Sequence, residues 1–298
     1  MQAPGNKLEN KLENKLELLS EHGCFGGRQG FYQHQSNAIG LPMRFSVFVP
    51  PQARTGPVPV LFYLAGLTCT EETFMIKAGA QQYAAQHGIL LVAPDTSPRQ
   101  TGIAMADESW DLGHGAGFYL DATQAPWNVH FRMETYVVQE LRELIVKAFP
   151  AQAERISIFG HSMGGHGALT LALKHPGVYR SVSAFAPIAA PSQCPWGHKA
   201  FTQYLGTDEV TWLAHDASSL MAQRHTPYPA GILVDQGLDD KFLLAGQLLP
   251  EAFAAACAQA NQPLTLRHHA GYDHGYYFIG SFMADHLAFH AKALLAAG

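Results

Sequence analysis

Ile158-Phe159-Gly160-His161-Ser162-Met163-Gly164-Gly165-His166-Gly167 is the stretch on which the reading of this sequence turns. Ile156 to Phe159 has the length and apolar character of a short buried strand. It leads directly into Gly-x-Ser-x-Gly, and Met163 to Lys174 then continues in a helical pattern that Pro176-Gly177 stops. A strand that enters a helix through this motif holds its serine at a sharp, strained turn, the nucleophile elbow. The requirement is steric: glycine at 160 and 164 lets the neighbouring backbone pass close beneath Ser162, so the hydroxyl projects outward. The N-terminus of the following helix favours negative charge at that position. Ser162 is therefore the candidate nucleophile, and the presence of both strand and helix weighs against a merely structural glycine-rich turn.

Outward from the elbow, strand and helix patterns alternate. Phe45 to Val49 precedes Pro50, Val58 to Leu64 precedes Ala65-Gly66, and Ile89 to Ala93 precedes Pro94, each a strand candidate. Val137, Val138, Leu141, Leu144, Ile145 and Ala148 recur at helical spacing until Pro150. Beyond the elbow come an apolar Val182 to Ala186, a strand-like Gly231 to Asp235, a helix around Leu248 to Ala260, and a last strand candidate, Leu264 to Arg267. This alternation predicts an α/β fold: a mostly parallel central sheet, helices on both faces, and reactive groups beyond the carboxyl ends of the strands.

The chain has 298 residues, 47% of them hydrophobic and 14% charged, which suits one large domain and excludes global disorder. Its 19 basic residues are spread thinly and the net charge is −5, so no basic stripe invites nucleic acid. Cys24, Cys69, Cys194 and Cys257 lie far apart without a Cys-x-x-Cys pair, as expected of reduced thiols rather than a zinc ribbon or disulfide framework. The first residues lack a signal-peptide apolar core, and no stretch reaches the roughly 18 apolar residues of a membrane span, so the expected address is the cytoplasm. Residues 7–17 repeat Lys-Leu-Glu-Asn, which stacks Leu8, Leu12 and Leu16 on one helical stripe but sets like charges over like. Residues 1–20 are accordingly set apart as an appendage, and 21–298 as the domain.

In this architecture the serine's partners follow in the order Asp or Glu, then His. The segment Gly231 to Asp240 offers Asp235, Asp239 and Asp240 at or past a strand end. Asp240 is favoured because Gly237 lets the chain turn off the strand, whereas Asp235 lies within it. Asp239 is the alternative, and the unused acid a solvated or turn-capping carboxylate. Among 16 histidines, His274 stands out in the glycine-bracketed loop Gly271-Tyr272-Asp273-His274-Gly275, after the last strand candidate. His268 and His269 read as packing or surface residues. His286 and His290 form His-x-x-x-His on a helix without a third ligand in view, so no metal is expected. Two N–H donors should face the oxyanion, one from Met163 and one from Leu67 in the loop after Leu64, where Gly66 permits an unusual turn. Cys69 would then stand near the acyl site; its plainer reading is a small buried hydrophobe.

Seven blocks carry a resemblance: Gly66-Leu67-Thr68-Cys69-Thr70-Glu71, Ala93-Pro94-Asp95-Thr96-Ser97-Pro98-Arg99, Asp107-Glu108-Ser109-Trp110-Asp111, Gly115-Ala116-Gly117-Phe118-Tyr119, the elbow, Cys194-Pro195-Trp196-Gly197 and Gly271-Tyr272-Asp273-His274. Together, from about Cys24 to the C-terminus, the sequence resembles the S-formylglutathione hydrolase family, also called esterase D. The resemblance implies an α/β-hydrolase fold with nucleophile, acid and base at Ser162, Asp240 and His274. It implies hydrolysis of S-formylglutathione to glutathione and formate, the second step of glutathione-dependent formaldehyde disposal, without a cofactor. A small glutathione thioester is then the partner, with neither nucleic acid nor membrane, and fold analogy adds a homodimer. Trp110, Trp127 and Trp196 are either core aromatics or pocket walls, Trp196 the foremost wall candidate. Lys77, Lys199 and Lys241 are candidates by charge for the glutathione carboxylates. The rival readings are a broad short-chain carboxylesterase, an acyltransferase resembling the mycolyl transferases, and a catalytically dead binding module. The Lys-Leu-Glu-Asn tract departs from the family pattern.

Overall fold

The computed structural model describes residues 16–224 and 226–296. Nine strands form one sheet: β1 (Glu17–Cys24), β2 (Gly27–Gln35), β3 (Pro42–Val49), β4 (Val58–Leu64), β5 (Leu90–Pro94), β6 (Ala151–His161), β7 (Val182–Phe185), β8 (Ile232–Gly237) and β9 (Leu264–His269). Their order across the sheet is β1-β2-β3-β5-β4-β6-β7-β8-β9. β1, β2, β3 and β5 pair antiparallel in succession, and every pairing from β5/β4 to β8/β9 is parallel. The expected mostly parallel sheet is present, with an antiparallel edge.

Burial explains that division. β4, β5, β7 and β8 are buried along their whole length, as parallel strands covered on both faces must be. The helix Met163–Lys174 packs on β6 and β7 with Ala217–Ala222 beside it, while the helix Tyr276–Leu295 packs on the sheet together with Ala80–His87. The run at 133–148 is helical as its spacing predicts, with a π-helical stretch, Tyr136–Leu141, in its middle. No helix among the described residues is long and apolar enough to cross a membrane.

Most of the Lys-Leu-Glu-Asn tract lies outside the described residues. Glu17 to Ser20, placed above in the appendage, form the first half of β1, which is exposed on both faces and pairs with β2. The β1–β2 hairpin has no counterpart in the sequence reading: β1 has no buried face and so shows no alternation, and most of what β2 buries is Gly27, Gln29, Gly30 and His34, which give no apolar signal.

The parallel strands place the chemistry. β4, β6, β8 and β9 end on the same side of the sheet, and the segments leaving them carry Leu67, Ser162, Asp240 and His274.

Candidate active site

Ser162 lies between β6 and the helix Met163–Lys174 with φ 58° and ψ −120°, a conformation that an L-residue holds only when its surroundings enforce it. A Cβ on Gly164 would come within 1.9 Å of the Leu64 carbonyl oxygen, and one on Gly160 within 2.2 Å of the Gly164 carbonyl oxygen. The two glycines thus allow the close backbone crossing inferred from the motif. The Ser162 N–H donates to the Phe185 carbonyl (3.0 Å), and the Ser162 carbonyl accepts from His166 N–H (2.9 Å) and Ile188 N–H (3.2 Å). The serine backbone is thereby fixed on both sides.

Asp240 is fully buried and accepts from His274 Nδ1 at 2.5 Å, from the Phe242 N–H at 2.8 Å and from Gln236 Nε2 at 3.2 Å. Burial alone would raise its carboxyl; the His274 hydrogen bond and charge and the Phe242 N–H outweigh that and hold it below the ordinary carboxylate value. Asp239 is exposed, and its backbone N–H bonds the Tyr272 carbonyl (3.0 Å). The reason given above for Gly237 needs correcting. Gly237 is the last residue of β8 and has no positive φ, so it does not turn the chain. Its lack of a side chain instead lets the loop that carries His274 approach, since a Cβ there would lie 2.4 Å from the Tyr272 carbonyl oxygen.

The His274 side chain is 14% exposed, and its ring packs against that of His161, the residue before Ser162, with centroids 4.4 Å apart. The structure therefore sets the Asp240–His274 pair against the elbow, through the residue that precedes Ser162. With Nδ1–H donated to Asp240, His274 Nε2 is free to take a proton. His161 was not singled out in the sequence. It is buried, neither ring nitrogen has a hydrogen-bond partner, and burial and the nearby His274 push it well below the usual histidine range. A neutral ring there places no positive charge against His274.

The loop after β4 runs against the serine: a Cβ on Gly66 would lie 3.2 Å from Ser162 Cβ. Among the described residues, neither the Leu67 nor the Met163 N–H donates to a protein acceptor, and Met163 opens a helix, where N–H groups lack intrahelical partners. The Ala65 carbonyl accepts from the Tyr119 hydroxyl (2.9 Å), which anchors the start of the loop. Cys69 is partly buried; its thiol is raised by burial and contacts Tyr276 and Thr73.

An aromatic wall continues from the base: Phe242 meets His274 edge-on at 4.8 Å, Trp196 meets Phe242 at 4.7 Å, and Trp110 meets Trp196 edge-on at 5.7 Å. Trp196 is buried and Trp110 is 54% exposed, so Trp110 sits at the outer end. Phe242 escaped the sequence reading although it lies just past the favoured acid. Trp127 belongs to the core, against Phe131 and Tyr204. Lys241 lies over the Phe242 ring and Lys77 over Tyr276, both beside the site, whereas Lys199 is paired with Asp111.

The remaining histidines have structural partners. His268 pairs with Glu251 at the surface, and His269 stacks on Phe282. His286 Nδ1 and His290 Nε2 both bond Ser183 Oγ at 2.8 Å, His290 Nδ1 bonds Ser181 Oγ at 2.8 Å, and His286 Nε2 reaches Asp235 at 3.2 Å. Their ring nitrogens are committed to serines and a carboxylate under the sheet.

A strained serine, a histidine bonded to a buried carboxylate, and two N–H groups without acceptors among the described residues suit acyl transfer. Known proteins agree with that class. A family model described as "Putative esterase" matches residues 36–289. The chain is similar to the S-formylglutathione hydrolase of Paracoccus denitrificans (56% identical, covering 93% of this chain and 98% of that one). It is similar to that of Mus musculus at 54% with the same coverage. The solved S-formylglutathione hydrolase of Agrobacterium tumefaciens superposes with a TM-score of 0.89 at 47% identity, over 93% of this chain and 99% of that one. Fold, site geometry and these near-complete likenesses together show that the chain belongs to the S-formylglutathione hydrolase, or esterase D, family of the α/β-hydrolase superfamily.

Proposed function

We infer that this protein is a serine thioesterase that hydrolyses S-formylglutathione to glutathione and formate, with Ser162, His274 and Asp240 as nucleophile, base and acid. The substrate rests on the relatives, each an S-formylglutathione hydrolase at more than half identity. The observation that carries the chemistry is the Asp240–His274 hydrogen bond set against the elbow that holds Ser162.

His274 Nε2 takes the Ser162 proton as Oγ attacks the formyl carbon, and the carbonyl oxygen gains the negative charge. The Leu67 and Met163 N–H groups and the helix N-terminus at Met163 stabilise that oxyanion. Its collapse breaks the C–S bond and releases the glutathione thiolate, leaving formylated Ser162. His274 passes the proton it took from Ser162 to the departing thiolate or to solvent and is neutral again. Water then gives a proton to His274 as it attacks the formyl-enzyme, and collapse of the second tetrahedral species returns that proton to Ser162 Oγ and frees formate. A thiolate leaves with less help than an amine, so deacylation carries the greater demand on His274. Trp196 and Phe242 wall the site against bulky acyl groups, and Lys77 and Lys241 offer positive charge to the glutathione carboxylates. The four free cysteines suit a reducing, cytoplasmic setting.

The test is thiol release from S-formylglutathione by wild type and Ser162→Ala, with S-acetylglutathione and a short-chain nitrophenyl ester alongside. Preference for the formyl thioester by about tenfold or more supports the assignment. Preference for the nitrophenyl ester would leave a general carboxylesterase.

A further inference from the structure

The loop that presents Leu67 is held at its far end by an ion pair outside the triad. The Cys69 carbonyl accepts two hydrogen bonds, from Thr96 Oγ1 at 2.6 Å and from Arg99 Nη2 at 3.1 Å. Arg99 is itself gripped by Asp95, Nε to Oδ2 at 3.0 Å and Nη2 to Oδ1 at 2.7 Å, and Asp95 Oδ1 also accepts the Thr96 N–H at 2.7 Å. Asp95 is 4% exposed and follows directly on β5, so the pair stands on the sheet rather than on a free loop. Two neighbouring contacts complete the brace. Thr68, at φ 67°, donates its N–H to the Gly115 carbonyl at 2.9 Å, and Gly115 N–H donates to Ser97 Oγ at 2.8 Å.

Peptide geometry carries this hold to the donor. The Cys69 N–H bonds the Gly66 carbonyl at 3.3 Å, closing a turn over Gly66, Leu67, Thr68 and Cys69. In a planar trans peptide the C=O and the following N–H point in opposite directions. The Gly66 carbonyl faces into the turn, so the Leu67 N–H of the same peptide faces out of it. Fixing Cys69 at its carbonyl therefore fixes where its N–H holds the Gly66 carbonyl, and with it the direction of the Leu67 N–H. We propose that Asp95 and Arg99 act as a positioning pair for the oxyanion hole, holding the Leu67 N–H on target through the Cys69 carbonyl. This rests on the reading of Leu67 as an oxyanion donor. Neither residue is a catalytic residue in this account, because each acts through the loop.

The pair's use differs from two simpler roles. A guanidinium that bound a glutathione carboxylate directly would govern KM. One that merely stabilised the fold would govern melting and leave kcat per folded molecule unchanged. A misaimed oxyanion donor lowers kcat while leaving ground-state binding alone.

The experiment compares wild type, Arg99→Gln, Arg99→Lys and Thr96→Val by kcat and KM on S-formylglutathione. It also measures affinity for S-(3,3,3-trifluoro-2-oxopropyl)glutathione, a ketone that serine can add to reversibly as a tetrahedral species, and for S-methylglutathione, which has no carbonyl to attack. Arg99→Gln is expected to lose about 10- to 100-fold in kcat, at or below the loss seen when an oxyanion donor is removed outright. KM should stay within about twofold, the ketone should weaken in proportion to kcat, and S-methylglutathione should bind as before. Arg99→Lys, which keeps the charge and one donor, should recover part of the loss. Should Arg99→Gln not fold, Thr96→Val removes the other donor to the Cys69 carbonyl and should give the same pattern in smaller measure. The proposal is overturned if KM rises at constant kcat, or if kcat falls while ketone affinity holds. If wild type binds the ketone no better than S-methylglutathione, the oxyanion reading itself has failed. If wild type binds it tightly and Arg99→Gln does too, that reading stands and only the positioning pair falls.

Discussion

Asp235 lies within β8 and Asp240 just beyond its end, and each meets a histidine that lies near a serine. Asp240 accepts from His274, whose ring packs on His161, the residue before Ser162; Asp235 accepts from His286, whose other nitrogen bonds Ser183. The residue types are the same and the surroundings differ in three ways. Ser183 and His286 are 0% exposed, whereas the His274 side chain reaches solvent. Ser183 sits inside β7 with its backbone paired to both neighbouring strands, whereas Ser162 occupies a strained turn at a helix N-terminus with unpaired N–H groups near it. Arg267 grips Asp235 through Nε and Nη2, both at 2.6 Å, while Asp240 is held by neutral donors and His274. A carboxylate already neutralised by arginine has little charge left for an imidazolium; one held by amides keeps it. A serine, a histidine and an aspartate recur in both places, and access, backbone strain and the acid's uncommitted charge are what set the proposed nucleophile Ser162 apart from Ser183.

The largest expected effect tests that separation at the serines. Ser162→Ala should lower kcat/KM on S-formylglutathione by about four orders of magnitude or more, the range seen when a triad nucleophile is removed. Ser183→Ala should leave kcat/KM within about threefold and cost stability instead, about 1–3 kcal/mol in denaturant unfolding, because two buried imidazoles lose a partner. A Ser183→Ala enzyme that folds normally yet loses activity would erase the distinction.

The acids come next. Asp240→Asn should cut kcat about 10³- to 10⁴-fold while the melting temperature moves little, since an amide fills the same space but cannot hold the working tautomer of His274. Asp235→Asn should do the reverse. It breaks the ion pair at the fully buried carboxylate and leaves Arg267 only its surface contact with Asp285, for about 2–3 kcal/mol of lost stability with kcat within a fewfold of wild type. A kcat loss in Asp235→Asn as large as in Asp240→Asn would mean that both pairs serve the reaction.

Acid titration sharpens the same contrast. At Asp235, burial would raise the carboxyl, but the His286 and Arg267 hydrogen bonds and charges hold it far below its ordinary 3.8. A depressed folded-state value contributes stability above the unfolded value, lost as pH falls toward the folded one. The melting-temperature gap between wild type and Asp235→Asn should therefore be full at pH 6 and shrink as pH drops below about 4. A gap that stayed constant down to pH 2 would show that the pair's charge contributes nothing.

How far these features were legible in the sequence follows from what each depends on. The elbow, β4 and the helix Met163–Lys174 were readable because local sequence determines them: glycines at a backbone crossing, a continuous apolar run, and a stop signal. Asp240 and His274 were readable from their places after strand candidates. The Asp235 network was not, because it joins β7, β8, β9 and the C-terminal helix, and no local pattern marks which histidine turns toward which strand. Phe242 and His161 escaped for a related reason: each matters through a ring contact with His274, a residue distant in sequence. The β1–β2 hairpin escaped because Leu18 and Leu19 are exposed on β1, which has no buried face, while β2 buries glycine, Gln29 and His34 beside Phe31.

A third buried carboxylate extends the comparison at the smallest scale. Glu71 opens the helix Glu71–Lys77 at 3% exposure, with neither the arginine that neutralises Asp235 nor the set of donors that holds Asp240. Burial, then the negative charge of Asp95, raise it to about 6. Here the sign reverses. A raised carboxyl favours the folded state below its unfolded value of 4.5, and that advantage is lost as pH rises through about 6. The ionised form is thus a burden at neutral pH, and Glu71→Gln should relieve it. Glu71→Gln and wild type should be equally stable near pH 4, and at pH 7.5 the variant should be more stable by about 1–2 kcal/mol, the difference appearing mainly between about pH 4.5 and 6. If wild type is instead the more stable at pH 7.5, then the Glu71 charge is compensated after all, by Arg44 across the same cavity, and Glu71 joins Asp235 as a carboxylate neutralised in place.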